Sequence, residues 1–475
     1  MSADGSGMSL SRPSRPPSRA PAGRRVVILG LARQGTALAR WLVRQGAEVT
    51  VSDLQPAERL QGFLQTLEGL PIRYALGGHP LSLLEGCDLL CLSGGVPLGI
   101  PIVQEAIRRG IPLANDAQLF LERCVGWTAG ITGSSGKTTT TALAGEMCRA
   151  AGFRTWVGGN IGQPLIEFVE EIGPEDRVVL ELSSFQLEIM TVSPHVAAVL
   201  NITPNHLDRH GTMEAYIAAK QRILDFQDVE DIAVLGYDDP NARGLAAAVR
   251  GRLRFFSRER EVARGAFLRG GTLFLRLGDE AWPICRVEEV RLRGRHNLGN
   301  LLAAAVVAGS LGADLGAIRE VATSFSGVPH RLELVREVRG VRYVNDSIAT
   351  TPERVRAALE AFEEPLVLLA GGRDKHLPWE ETAREIARRV RVLIAFGEMG
   401  DRVVEAVQAA RAAMGPAALE QVERVSTLEE AVALAARLAR PGEVVLLSPG
   451  GTSYDAYRDF EERGNHFRAL VEALA

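Results

Sequence analysis

The stretch GITGSSGKTTTTALAGE, Gly130–Glu146, decides how the rest of the chain is read. WTAGIT, residues 127–132, which runs into it, reads as a strand. Gly133, Ser134, Ser135 and Gly136 form a tight loop, and Lys137 and Thr138 open a helix that stops at Gly152. Loop N–H groups and a helix N-terminus favour an anionic phosphate, Lys137 adds a point charge, and the Thr138 hydroxyl can reach Mg2+. The strict P-loop pattern asks for a glycine where Ile131 stands, so the match is to a shorter form. The strand before the loop and the helix after it favour a nucleoside triphosphate site over a mere glycine turn.

Working outward, short apolar runs ending in small or polar residues alternate with helical patterns: RVVILG, AEVTVSD, CDLLCLSGG, then RVVLELS, VAAVLNIT and DIAVLG, then VRYVND, PLVLLAGG, RVLIAFG and EVVLLSPGG. Strands alternating with helices predict an α/β protein with mostly parallel sheets. At roughly 150 residues per domain, 475 residues suit three domains. The expected division is a disordered Ser/Arg/Pro-rich tail over 1–22, then domains over 23–118, 119–327 and 328–475.

Ligands of open α/β sheets bind beyond the carboxyl ends of the strands. Lys137, Glu181 and His206 each follow such an end, so they can converge. GLARQG, Gly30–Gly35, with Asp53 after the next strand, resembles a dinucleotide fingerprint, but Ala32 stands where its middle glycine belongs. Lys220 lies on an amphipathic helix, where a solvated lysine is the ordinary expectation. Asn297 and Asn300 share one face at the start of an apolar helix; capping accounts for Asn297 but not for Asn300.

The net charge of −4 gives no basic field for nucleic acid. No apolar run approaches the ~18 residues of a membrane span. Five scattered cysteines fit reduced thiols in a cytoplasm.

In order along the chain stand GITGSSGKTTT, GGNIGQP, LELSSFQLE, NITPNHLDRHG, YIAAKQRI, GRHNLGN, GVPHRLE, NDSIATTP and LSPGGTSYDAYRDFEERGNHF. This set resembles the Mur ligases of peptidoglycan synthesis, and within them the D-glutamate-adding branch, over nearly everything after residue 24. The resemblance implies a Rossmann-like first domain, a P-loop-type central ATPase domain and a Rossmann-like third domain. It implies an ATP- and Mg2+-dependent ligase acting on UDP-N-acetylmuramoyl-L-alanine and D-glutamate, monomeric and cytoplasmic, with no nucleic acid partner and no membrane insertion.

Roles follow from the same resemblance. The uridine nucleotide falls to Leu31, Ala32, Asp53 and Gly95, with Asn160 and His206. ATP falls to Gly133, Ser134, Ser135, Gly136, Lys137, Thr138, Thr139, Asn297, Asn300, Arg331 and Asp346. Two Mg2+ ions fall to Thr138, Glu181, His206 and a carbamylated Lys220, and the catalytic group is Lys137, Glu181, His206 and Lys220. D-glutamate falls to Thr350, Lys375, Ser453 and Phe460. Departures are Ser134-Ser135 where Thr-Asn is usual, Gly94 where Pro is usual, and Ile348 where a lysine is usual. Other readings remain: a related amide ligase of the Mur or folylpolyglutamate type, a nicotinamide oxidoreductase on the first domain, or a nucleotide-binding regulator without turnover.

Overall fold

The computed structural model describes residues 21–292, 294–374, 377–414 and 418–474. The expected tail lies almost wholly outside the described residues, and Lys375 wholly so. The chain divides into two compact units, one running through Phe325 and one from Ser326.

The first unit carries two sheets. β1 (Arg25–Leu29), β2 (Glu48–Asp53), β3 (Ile72–Leu76), β4 (Leu89–Leu92) and β5 (Leu113–Ala114) pair in parallel in the order β3-β2-β1-β4-β5. The runs VVIL and LLCL are buried on both faces, as a parallel strand between two helical layers requires. The second sheet contains β6 (Trp127–Thr132), β7 (Thr155–Gly159), β8 (Arg177–Glu181), β9 (Val196–Val199), β10 (Ile232–Gly236), β11 (Arg252–Ser257), β12 (Gly265–Arg269), β13 (Thr272–Arg276) and β14 (Trp282–Arg286). Its order is β14-β13-β12-β11-β10-β9-β6-β8-β7, parallel except for the β12–β13–β14 meander. Gly270 and Gly271, both at positive φ, supply the two-residue turn between β12 and β13. That meander was not legible as strands beforehand.

The two sheets are joined by polar contacts as well as by one continuous core. Trp41 Nε1 donates to Glu170 Oε1 (2.8 Å), and Arg40 pairs with Glu167. Residue 118, the expected end of the first domain, falls inside the helix Asp116–Arg123. The cap of that helix, Asn115, donates through Nδ2 to the Gln186 carbonyl (2.8 Å).

The second unit is a six-stranded sheet built from β15 (Glu333–Val338), β16 (Val341–Asn345), β17 (Leu366–Gly371), β18 (Val390–Phe396), β19 (Gln421–Arg424) and β20 (Val444–Gly450). Its order is β15-β16-β20-β17-β18-β19, parallel apart from the edge pair β15–β16. Helices cover both faces and enclose two apolar layers.

At the amino end of this sheet Arg391 and Glu443 form a buried pair, with Nη2 on Oε2 at 2.7 Å and a further bond from Arg391 to the Leu438 carbonyl. Arg391 keeps a longer bond to the half-exposed Glu420 (3.4 Å), so removing Glu443 leaves its charge buried and only partly paired. Glu443→Ala is expected to lower the stability of the second unit towards the lower end of the about 3–5 kcal/mol that breaking a buried pair costs, in denaturant unfolding. A loss well under about 1 kcal/mol would mean that the pair is screened as surface pairs are.

Candidate active site

The P-loop follows β6, an interior strand flanked by β9 and β8. Gly136 caps the helix Lys137–Ala150 in the left-handed region, at φ 82°. A Cβ there would also lie 2.2 Å from Asn300 Oδ1, so the loop needs glycine for two reasons. Asn300 in turn donates through Nδ2 to Asn297 Oδ1 (2.8 Å). The helix carrying both is Arg295–Ser310, capped by Gly294, so Asn297 is its third residue and not its cap. The capping expected of Asn297 is thus corrected: the two asparagines form a bonded pair, and Asn300 packs against the P-loop.

Ser134 and Ser135 are fixed by the segment after β9. The Ser134 N–H donates to the Asn201 carbonyl (2.9 Å), and the Ser135 N–H to Asn201 Oδ1 (2.9 Å). Ser134 Oγ accepts from the Thr203 N–H (3.0 Å) and stands 3.1 Å from the Tyr216 hydroxyl. Backbone amides hold the loop's shape, so serines serve where bulkier residues were expected.

Lys137 Nζ donates to the Gly133 carbonyl (2.9 Å), and Thr138 Oγ1 donates to Glu181 Oε2 (2.8 Å). The other Glu181 oxygen accepts from Asn160 Nδ2 (3.0 Å). Thr138, Glu181 and Asn160 therefore meet at the ends of β6, β8 and β7. Thr139 is buried on the same first turn.

Lys220 departs most from the ordinary expectation for a helix lysine. It is 1% exposed, and Nζ donates to the same Gly133 carbonyl (3.0 Å) and to Thr132 Oγ1 (3.3 Å), over the Tyr216 ring. Burial, with Lys137 nearby, lowers its pKa to about 6, against a smaller opposing pull from Glu181. Lys220 is then chiefly an uncharged amine at neutral pH.

His206 is exposed at positive φ and meets the Phe185 ring edge-on. The neighbouring His210 was not anticipated. Its Nδ1 lies 2.8 Å from Glu188 and its Nε2 3.0 Å from Ser184 Oγ, and it stacks on Phe185, so it ties the His206 segment to the one following β8. The sequence signal was a histidine four residues after His206, on the same side of one turn. Among the described residues no group of three or more His, Cys, Asp or Glu side chains is placed to hold a metal ion. The Thr138 hydroxyl and the Glu181 carboxylate still suit Mg2+, which takes few protein ligands and completes its shell with water and phosphate oxygens.

In the first sheet, Asp53 braces the β1 turn. One oxygen accepts from the Leu31 N–H (2.6 Å) and the other from the Gln55 N–H (2.8 Å). Ala32 caps the helix Arg33–Arg44 without a side-chain bond. The Gly95 carbonyl accepts from Arg209 Nη1 (3.1 Å), which links this sheet to the His206 segment.

In the second unit, Asp346 directly follows β16 and accepts from Ser448 Oγ (2.9 Å) and the Leu332 N–H (3.3 Å). Burial pushes its carboxyl up to about 7. Arg331 and Arg354 act on it in the opposite direction. Thr350 lies on the loop after β16 and Ser453 on the loop after β20. The Phe460 carbonyl accepts from Ser347 Oγ (2.8 Å).

Three family models match in order: the Mur ligase MurD-like N-terminal domain over residues 24–115, the Mur ligase middle domain over 131–308, and the Mur ligase glutamate ligase domain over 330–451. The chain belongs to the Mur ligase family. The UDP-N-acetylmuramoylalanine–D-glutamate ligase of Symbiobacterium thermophilum is 45% identical over 453 residues, 95% of this chain and 98% of that one. The enzyme of the same name from Pelotomaculum thermopropionicum is 43% identical over 452 residues, again 95% and 98%. Among solved structures, the UDP-N-acetylmuramate-alanine ligase MurC of Thermotoga maritima aligns with a TM-score of 0.55 at 20% identity, over 94% of this chain and 99% of that one. The MurF ligase of Thermotoga maritima in complex with ADP aligns at 0.51 and 19% identity, over 96% of each. At such identities these structures bear on the fold alone: three α/β domains with mostly parallel sheets.

The Lys220 amine generates a stability prediction. Between about pH 6 and its ordinary value the unfolded chain holds a proton that the folded chain does not, so stability rises with pH across that window. In CO2-depleted buffer, Lys220→Met is expected to flatten this rise, and its stability relative to wild type should grow as pH falls from 10 towards 6. Parallel pH–stability curves for the two proteins would show that Lys220 is not desolvated.

Proposed function

We propose that this protein is the ATP-dependent ligase that joins D-glutamate to UDP-N-acetylmuramoyl-L-alanine, forming ADP and phosphate, in the cytoplasm. The observation that carries the reading is the bond from Thr138 to Glu181. It places a P-loop hydroxyl and a strand-end carboxylate together beside Lys137, where a triphosphate and its cation would sit. The names of the two relatives above support the choice of substrates. No described helix is long and apolar enough to cross a membrane.

A carboxylate is a poor acyl donor to an amine in water. In the proposed reaction an oxygen of the terminal alanine carboxylate attacks the γ-phosphorus of ATP and ADP leaves, giving an acyl phosphate. The D-glutamate amine then attacks the acyl carbon, phosphate leaves, and the amine proton passes to solvent. The Gly136 amide, the free amides of the first helical turn and the Lys137 ammonium hold the β- and γ-phosphates as charge moves onto the leaving oxygen, while the Ser134 and Ser135 amides stay on Asn201 and keep the loop in shape. Lys137 exchanges its bond to the Gly133 carbonyl for phosphate oxygens. Thr138 and Glu181 would hold Mg2+, which supplies neutralising charge on the phosphates. Asn297, Asn300, Arg331 and Asp346 are assigned to ATP. Leu31, Ala32, Asp53, Gly95, Asn160 and His206 are assigned to the uridine substrate, and Asp53 also keeps the β1 turn in shape. Thr350, Ser453 and Phe460 are assigned to D-glutamate, together with Lys375.

Lys220 is assigned a carbamate, with His206 and a second Mg2+ at the same site. Its neutral amine supports this, because only the unprotonated nitrogen attacks CO2. The nitrogen bonds to the carbon as one C–O π bond opens, one proton is released, and an anion replaces the neutral amine beside Lys137. A monomer is proposed.

Two measurements test the reading. ADP release with ATP, Mg2+ and UDP-N-acetylmuramoyl-L-alanine should depend on D-glutamate, and Lys137→Ala should lower it at least ~100-fold, on the order of 3 kcal/mol, with the fold intact. Near-normal turnover in a folded Lys137→Ala protein would remove the P-loop from the mechanism. With 13C-bicarbonate at neutral pH, wild type should show a carbamate carbon signal that is absent in Lys220→Ala and fades below about pH 6. A wild-type spectrum without it would leave Lys220 as a plain amine.

A further inference from the structure

Arg463, in the first turns of the helix Phe460–Glu472, is fully buried. Its Nε donates to Ser347 Oγ (3.0 Å), Nη2 to the Ser347 carbonyl (2.9 Å), and Nη1 to the Gly451 carbonyl (3.2 Å). Ser347 Oγ passes the link on by donating to the Phe460 carbonyl (2.8 Å). A Cβ on Gly372 would come within 2.9 Å of Nη1, so the loop after β17 also closes over the guanidinium. The side chain thus lies beneath the carboxyl ends of β16, β20 and β17, where the strand order of this sheet turns back on itself.

All its acceptors are neutral, and among the described residues no carboxylate comes within ion-pair distance of it. Asp455 is the acid that acts on it, and that carboxylate already accepts the Glu398 N–H. Burying a cation without a close counter-charge is strongly unfavourable. The loops it ties are those that carry the residues assigned to the amino acid. Thr350 follows Ser347 by three residues, Ser453 follows Gly451 by two, and Phe460 is bonded to Ser347.

We propose that Arg463 is a positioning and specificity residue of the amino-acid pocket. Its guanidinium fork pins the loop after β16 to the loop after β20, and its buried charge favours a dicarboxylate over the corresponding amide. This rests on the ligase reading and adds to it a residue outside the assigned pocket. A lysine keeps the charge but not the planar fork, so the two contributions separate by substitution.

The experiment compares wild type, Arg463→Gln and Arg463→Lys in the full chain. It measures ADP release with D-glutamate or D-glutamine and follows folding by thermal melting. For Arg463→Gln the KM for D-glutamate should rise at least ~10-fold while the KM for ATP stays within about twofold, and the preference for D-glutamate over D-glutamine in kcat/KM should fall ~10-fold. Arg463→Lys should keep that preference and still show a raised KM. A folded Arg463→Gln protein with unchanged D-glutamate KM and preference overturns the proposal. So does an equal rise in both KM values with the preference intact, which marks general loosening. If Arg463→Gln does not fold, Arg463→Lys decides: a raised D-glutamate KM with ATP unaffected supports the proposal, and an unchanged one overturns it. Wild type that releases ADP without regard to D-glutamate defeats the ligase reading itself, and this inference with it.

Discussion

The carbonyl of Gly133 accepts hydrogen bonds from two lysines, Lys137 and Lys220. Two ammonium groups cannot share one buried oxygen without mutual repulsion in a poorly screened space. Burial and this repulsion both favour Lys220 as a neutral amine, and the site around it is arranged accordingly. Tyr216 lies under the Lys220 nitrogen and reaches Ser134 with its hydroxyl, so the helix Met213–Asp225 and the P-loop are held as one piece. Glu181 is fixed from both sides by Thr138 and Asn160. The rigidity needed to present backbone amides to a phosphate comes from these side-chain struts, because a glycine loop has none of its own.

The second unit meets an analogous constraint differently. Its three central strand ends converge on Arg463, which gathers carbonyls from two loops where a metal or a salt bridge would otherwise serve. Beside it, Asn345 donates to the Gly464 carbonyl, and Gly464 lies so close to His330 that a Cβ would fall 2.1 Å from Nδ1. His330 and Leu332 sit in the left-handed region within this packing, and the adjacent pairing of β15 with β16 is irregular. Strain of this kind persists only where surrounding contacts over-determine the backbone.

The parallel strands β1, β2, β4, β6, β8, β9, β10, β16, β17, β18 and β20 were legible as short runs of β-branched and apolar residues ending in glycine or a polar residue, whereas β3, β5, β7, β11 and β19 were not, being very short or interrupted by polar residues and glycine. The meander β12–β14 was not, because its alternating pattern is interrupted by Trp282 and Pro283 at the edge strand. The glycine loop and the place of Glu181 at a strand end were legible from residue type and position, and the shared face of Asn297 and Asn300 from their spacing, but not the bond between them. Tyr216, Asn201, His210 and Arg463 were not. Each acts by touching a residue far away in sequence, and nothing local distinguishes Arg463 from the solvated arginines around it.

What the sequence determined by itself is the class of structure and the glycine loop that opens the helix Lys137–Ala150. Both follow from local rules: apolar periodicity sets strands and helices, and a glycine loop opening a helix presents its amides whatever lies around it. Only the tertiary structure decided the state of Lys220, the bracing task of Asp53, the pairing of Asn297 with Asn300 and the burial of Arg463. Protonation and hydrogen bonding depend on how much water is removed and which groups replace it, and those are properties of the packed molecule rather than of neighbours along the chain.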